Sequence, residues 1–165
     1  GQVEAAFWHF NDTANRGKMT LDEFNQAFAE RLGVESIAWQ DYYLRAAEPI
    51  KEAQEVLRWA SDHYKVGLLT NITESLVEGL LAKGTLPDVE YDAIIDSSKV
   101  GHIKPELEIY QIAIEQSGVK PEEILFVDDS RANLSAAESL GMQVLWFDDF
   151  SAEASADKIR EYLEY

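Results

Sequence analysis

Four short apolar runs constrain this chain more than any other feature: KVGLLT at 65–70, YDAIID at 91–96, ILFVDD at 124–129 and QVLWF at 143–147. Each is nearly continuous rather than alternating, so each suits a strand buried on both faces. The segments between them carry apolar residues at helical spacing: SLVEGLLAKG, PELEIYQIAIEQSG and RANLSAAESLG, the last stopped by Gly141. Strands near 65–70, 92–96, 124–128 and 143–147, alternating with helices, specify the α/β class with a parallel sheet covered on both sides. This unit is expected over 49–165. It starts with a helix striped by Ile50, Ala53, Val56, Leu57, Ala60 and Tyr64, and ends with one carrying Ile159 and Leu163.

Residues 1–48 read differently, as a small helical unit. TLDEFNQAFAERLG offers a capping box, Thr20 with Glu23, then Leu21, Phe24, Phe28 and Leu32 on one face, then Gly33 as a stop. Flanking helices are expected around EAAFWHF and WQDYYLRAA, with Trp8, Phe10, Trp39, Tyr42 and Tyr43 packed between helices.

Charge and composition narrow the function. At 165 residues the chain suits one core with a small appendage. Fourteen basic against 31 acidic residues give a net charge of −17, which disfavours nucleic acid and anionic membranes as partners. A phosphorylated ligand would need a local cluster of cation and donors to overcome that field. The absence of cysteine removes disulfides, thiol nucleophiles and thiolate metal sites, so a metal would be held by oxygen or by the three histidines. No apolar run approaches a membrane span and no secretory signal opens the sequence, so a cytoplasmic location is expected.

In a parallel sheet all strand carboxyl ends share one edge, where ligands bind. The first strand ends in Thr70 and Asn71, with Thr73 expected to open the next helix as part of an anion seat. The second leads to Lys104, just before Pro105 at an expected helix start, where the dipole disfavours a cation unless it faces an anion. The third ends in Asp128 and Asp129, with Asn133 a turn further on. Capping would account for one of these carboxylates. Taken together, hydroxyl, lysine and carboxylate pair suggest an Mg²⁺-assisted phosphate site, carboxylate on metal and Thr70 and Lys104 on phosphoryl oxygens. Asp148 and Asp149 after the fourth strand read as a solvated loop or cap, and His102 as a solvated loop histidine.

These residues match a family. LLTN, VGHIKPELEIY and FVDDSRANLSAAESLGM are similar, in order and spacing, to the second, third and fourth motifs of the haloacid dehalogenase (HAD) superfamily. The chain most resembles its capped subfamily, which includes small sugar-phosphate phosphatases and the N-terminal phosphatase domain of soluble epoxide hydrolases. The resemblance implies a Rossmann-like core, with residues 1–48 as the cap. It also implies Mg²⁺-dependent hydrolysis of a small phosphorylated metabolite through an aspartyl-phosphate. In that scheme Thr70, Asn71, Lys104 and Asp128 serve catalysis, Asp129 binds Mg²⁺, Asp128 holds Lys104 or a metal water, and Asn133 steadies the loop.

One part of the pattern is absent. The family's nucleophilic and acid/base aspartates form a DxD motif after a first strand, and no such motif occurs here; NDT at 11–13 follows no apolar strand. In HAD folds that strand lies between those ending at Thr70 and Asp128. The expectation is therefore that a segment upstream of Gly1, or a strand from a partner, completes the sheet and carries the nucleophile. Without it the two strands should lie unpaired, roughly 9 to 10 Å apart. The competing reading is a non-catalytic relative that binds a phosphorylated ligand or a protein partner. A third reading, a signalling receiver domain, is opposed by motif order, since Thr70 and Lys104 precede Asp128.

Overall fold

In a computed structural model, which describes residues 1–164, three helices precede an α/β unit. Helices α1 (Gln2–Asn15), α2 (Leu21–Leu32) and α3 (Trp39–Ala46) enclose an aromatic core of Phe24 and Phe28 with Phe7, Phe10 and Trp39 against them. The capping box forms as the sequence requires: Glu23 N–H donates to Thr20 Oγ1 at 3.2 Å and Thr20 N–H to Glu23 Oε2 at 2.8 Å. Gly33 ends α2 in the left-handed region at φ 68°. Trp8 and Tyr42 depart from the packing expectation and lie more than half exposed. Trp8 sits edge-on to Phe7 and Tyr42 lies tilted against Trp39, so the small core is already filled by the inner rings.

The α/β unit runs α4 (Lys51–Ser61), β1 (Gly67–Thr70), α5 (Leu76–Lys83), β2 (Ala93–Asp96), α6 (Ser97–Val100), α7 (Leu107–Ser117), β3 (Leu125–Asp128), α8 (Arg131–Ser139), β4 (Gln143–Trp146) and α9 (Ala152–Glu164). All four strands fall within the expected ranges. Strand β1 pairs parallel with β2, Thr70 opposite Asp96, and β3 pairs parallel with β4, Asp128 opposite Trp146. They form two separate two-stranded sheets, with no pairing between β1 and β3 among the described residues. That is the arrangement expected where a strand between them is not supplied. The two sheets share one core under α7 and α8, where Ile95 of β2 and Phe126 of β3 join the buried Ile109, Tyr110, Leu134 and Ala137. Each large apolar side chain so buried contributes about 1.5–3 kcal/mol. No helix is long and apolar enough to cross a membrane among the described residues.

Two local expectations are corrected and one element is added. Thr73 does not open α5, which begins at Leu76; its hydroxyl instead donates to Asn15 Oδ1 at 3.1 Å in a buried contact with the helical unit. Lys104 does not stand at a helix start, because Pro105 and Glu106 belong to a turn before α7, with Glu106 at its N-cap. Ser97–Val100, to which the sequence pattern assigns no element, forms the short helix α6, capped by Asp96 accepting from Ser98 N–H at 2.9 Å.

The helical unit seats on the strand-end loops through small residues. Gly17 has φ +65°, and a Cβ there would stand 2.0 Å from the Ser98 carbonyl oxygen. Gly79 of α5 leaves room for Leu44 of α3, 2.7 Å from where its Cβ would be. Leu21 N–H, at the start of α2, donates to Glu74 Oε1 at 2.7 Å.

Candidate active site

The carboxyl ends of β1 and β3 meet through Lys104. Its Nζ donates to Asp128 Oδ2 at 2.7 Å and lies 5.7 Å from the centre of the Phe126 ring. Its backbone is gripped by Asn71: Lys104 N–H donates to Asn71 Oδ1 at 2.7 Å, and Asn71 Nδ2 donates to the Lys104 carbonyl at 2.9 Å. The amide of Asn71 thus completes the hydrogen bonding of a loop that has no ladder to join. Thr70, half-buried, ends β1 beside it.

Asp128 is well buried and its carboxylate fully engaged. Oδ2 takes the lysine, while Oδ1 accepts from Ser130 N–H at 2.8 Å and Asn133 Nδ2 at 2.9 Å. Burial pushes its carboxyl up, but the Lys104 hydrogen bond and charge, with Ser130 and Asn133, outweigh this and hold it below the usual range. Asn133 is in turn held through its carbonyl, which accepts from the Tyr110 hydroxyl at 3.0 Å.

Asp129 presents an exposed carboxylate, and its backbone is fixed from β4, where Trp146 Nε1 donates to its carbonyl at 2.9 Å. The Arg131 guanidinium stacks over the Trp146 ring at 4.7 Å. Nearby, Asp149 is pushed above the usual carboxylate range by burial and by the charges of Asp129 and Asp148. Asp148 caps the turn after β4, accepting from Phe150 N–H at 3.1 Å. Among the described residues, His102, Glu106 and Glu108 bring ligand atoms within 4.8 Å of one another, but Arg16 occupies both carboxylate oxygens of Glu106.

Hydrogen bonds thus join Asn71, Lys104, Asp128 and Asn133, while Thr70 and Asp129 stand next to them in sequence at the ends of β1 and β3. Sequence reasoning passed over Arg16, Glu106, Ser130 and Trp146, which hold the loops there. The acidic residue directly after Lys-Pro, in a turn that needs an acceptor for Ile103 N–H, was the one available signal for Glu106.

A family model described as haloacid dehalogenase-like hydrolase matches residues 3–141. Drimenol cyclase drtB of Aspergillus calidoustus is 30% identical over 142 residues, covering 80% of this chain and 26% of that protein. D-ribitol-5-phosphate phosphatase of Bacteroides thetaiotaomicron is 28% identical over 152 residues, covering 86% of this chain and 70% of the phosphatase. Among solved structures, a HAD family enzyme from the same bacterium, in complex with magnesium and inorganic phosphate, superposes with a TM-score of 0.71 at 20% identity, covering 90% of this chain and 86% of that one. The chain spans 26% or less of the length of the first curated relatives it matches. With the fold, the strand-end residues and a family match over most of its length in agreement, the chain belongs to the haloacid dehalogenase-like hydrolases.

Proposed function

We propose that this chain forms the body of a Mg²⁺-dependent phosphomonoester hydrolase acting on a small phosphorylated metabolite. The observation that carries the reading is the Lys104–Asp128 pair at 2.7 Å, with Asn71 gripping the lysine backbone, at the meeting point of three chain segments. Lys104 and Thr70 would neutralise and orient phosphoryl oxygens, and Asp128, fixed by Ser130 and Asn133, keeps the lysine in place. Asp129 would hold Mg²⁺ with the Asp149 carboxyl close by; when bound, the metal supplies charge stabilisation at the phosphoryl group. Residues 1–48 would act as a cap over this edge, and a cytoplasmic location suits a soluble metabolite.

None of the strand-end residues described above is placed to attack phosphorus. We assign the nucleophile to a strand occupying the slot between β1 and β3, contributed from upstream of Gly1 or by a partner. A carboxylate oxygen of that strand would bond to phosphorus as the ester oxygen leaves with a proton from an acid on the same strand. Water would then displace the carboxylate, releasing phosphate. The unpaired edges of β1 and β3 support the slot, since each buried unpaired backbone group costs about 1–3 kcal/mol.

Two experiments test this. Residues 1–165 alone should turn over no phosphate ester; metal-dependent turnover that survives further purification would overturn the assignment of the nucleophile. With the slot strand supplied, Asp129→Ala should abolish Mg²⁺-dependent hydrolysis of p-nitrophenyl phosphate while Asp148→Ala leaves most of it. Equal loss from both would overturn the metal site. Phosphate binding without any hydrolysis in the complete protein would favour the non-catalytic reading.

A further inference from the structure

Lys104 is held from a second side, by a joint that reaches into the helical unit. Arg16, at the C-cap of α1, makes a two-pronged contact with Glu106: Nη1 to Oε2 at 2.8 Å and Nη2 to Oε1 at 2.6 Å. Glu106 Oε2 also accepts from Ile103 N–H at 3.2 Å, and Glu106 N–H donates to the Ile103 carbonyl at 2.9 Å. Lys104 therefore lies inside a closed loop pinned at both ends by one residue, while Asn71 holds its own N–H and carbonyl from across the gap.

The arginine has little freedom. On one side Asn15 is buried and bonded to Thr73, in the loop after β1; on the other, Gly17 lies against the Ser98 carbonyl in the helix after β2. The end of α1 is thus fixed to both strand-end loops, and Arg16 carries that position to Glu106.

We propose that Glu106 is a positioning residue for Lys104 and that Arg16, by its two-pronged grip, makes the lysine's placement depend on how the helical unit is seated. The proposal rests on the reading of Lys104 as a phosphate-binding group. The Arg16 hydrogen bond keeps Glu106 ionised, with its carboxyl lowered to about 2, so the grip persists across the ordinary pH range. A lysine at position 16 would keep the charge but lose the planar fork.

The test compares Glu106→Gln, Arg16→Lys and a control, Glu78→Gln, which removes the same charge from the exposed Lys99 pair. Inorganic phosphate affinity in Mg²⁺ is read by calorimetry, and exchange of the Lys104 amide by NMR. Removing a negative charge near an anion site tightens phosphate binding by charge alone. Positioning predicts the opposite: Glu106→Gln weakens phosphate by about fivefold or more, roughly 1 kcal/mol. It also speeds Lys104 amide exchange, and Glu78→Gln changes neither. Arg16→Lys should show the same two effects, and decides the matter if Glu106→Gln fails to fold. Unchanged Lys104 exchange overturns the joint, and faster exchange with unchanged or tighter phosphate binding overturns the positioning role. All variants are compared with the slot strand supplied; if the complete unsubstituted protein then binds no phosphate, the hydrolase reading of the site falls, while amide exchange still decides the joint.

Discussion

Replacing Lys104 by Met removes the ammonium group but keeps an unbranched stem over Phe126. Asp128 is 8% exposed, and its Oδ2 would lose its lysine while Oδ1 keeps Ser130 and Asn133. Breaking a buried ion pair by removing one partner costs about 3–5 kcal/mol. Two retained donors place this case at the lower end, about 3 kcal/mol, which is more than a hundredfold in the folding constant. In a chain of 165 residues that corresponds to a fall in Tm of roughly 6–12 °C. Urea unfolding at pH 7 measures the loss. Adding Asp128→Asn to Lys104→Met removes the stranded charge and should recover a good part of the stability, so the two substitutions are not additive. The pH dependence gives an independent sign. The native chain holds Asp128 below the ordinary carboxylate range, so its contribution is present above that range and is lost as pH falls through the depressed value. Without Lys104, burial dominates and the carboxyl rises above its unfolded value. Acidification then relieves the buried charge, and the gap between variant and native chain should narrow. A loss below about 1 kcal/mol, strict additivity with Asp128→Asn, or a gap that widens on acidification would refute the account.

Other perturbations follow from the same geometry. Gly17→Ala forces a side chain into the left-handed region and its Cβ to 2.0 Å from the Ser98 oxygen, so thermal melts should show a loss of about 2 kcal/mol or more. An unchanged Tm would show that the seat of α1 is not what the fold depends on. The Glu106 carboxyl, lowered to about 2 by Arg16, contributes stability above the usual carboxylate range that disappears as pH falls toward that value. Because the pair is partly exposed, its worth is about 1 kcal/mol or less. Melts from pH 5 to pH 2 should be measurably flatter in Glu106→Gln than in the native chain.

Much of the architecture was legible because strands leave continuous apolar runs in the sequence, although the expected burial on both faces is only partial: Ile94 and Trp146 are exposed, while Ile95 and Phe126 are buried. Continuous apolar runs ending at Thr70 and Asp128 announce parallel strands, and Thr20 with Glu23 announces the start of α2, since both signals are local. The meeting of Lys104 with Asp128 was legible too, from the order and spacing of the family motifs. Local signals failed where a distant partner decides conformation. Thr73 has the chemistry to cap a helix, yet it bonds Asn15, a residue 58 positions away. Lys104 looked like the residue just before a helix starting at Pro105, yet α7 begins at Leu107, after Glu106 has turned back to Ile103 and out to Arg16. Asn71 read as a catalytic polar residue, and its grip on the Lys104 backbone depends on the spacing of two loops. Apolar periodicity and capping are properties of a few neighbouring residues, so the sequence alone determines them. Which carboxylate meets which cation depends on how separately formed elements pack. The Lys104–Asp128 pair and the unpaired edges of β1 and β3 were expected from the family resemblance, whereas the Arg16–Glu106 pair and the grip of Asn71 on the Lys104 backbone were decided by the tertiary structure.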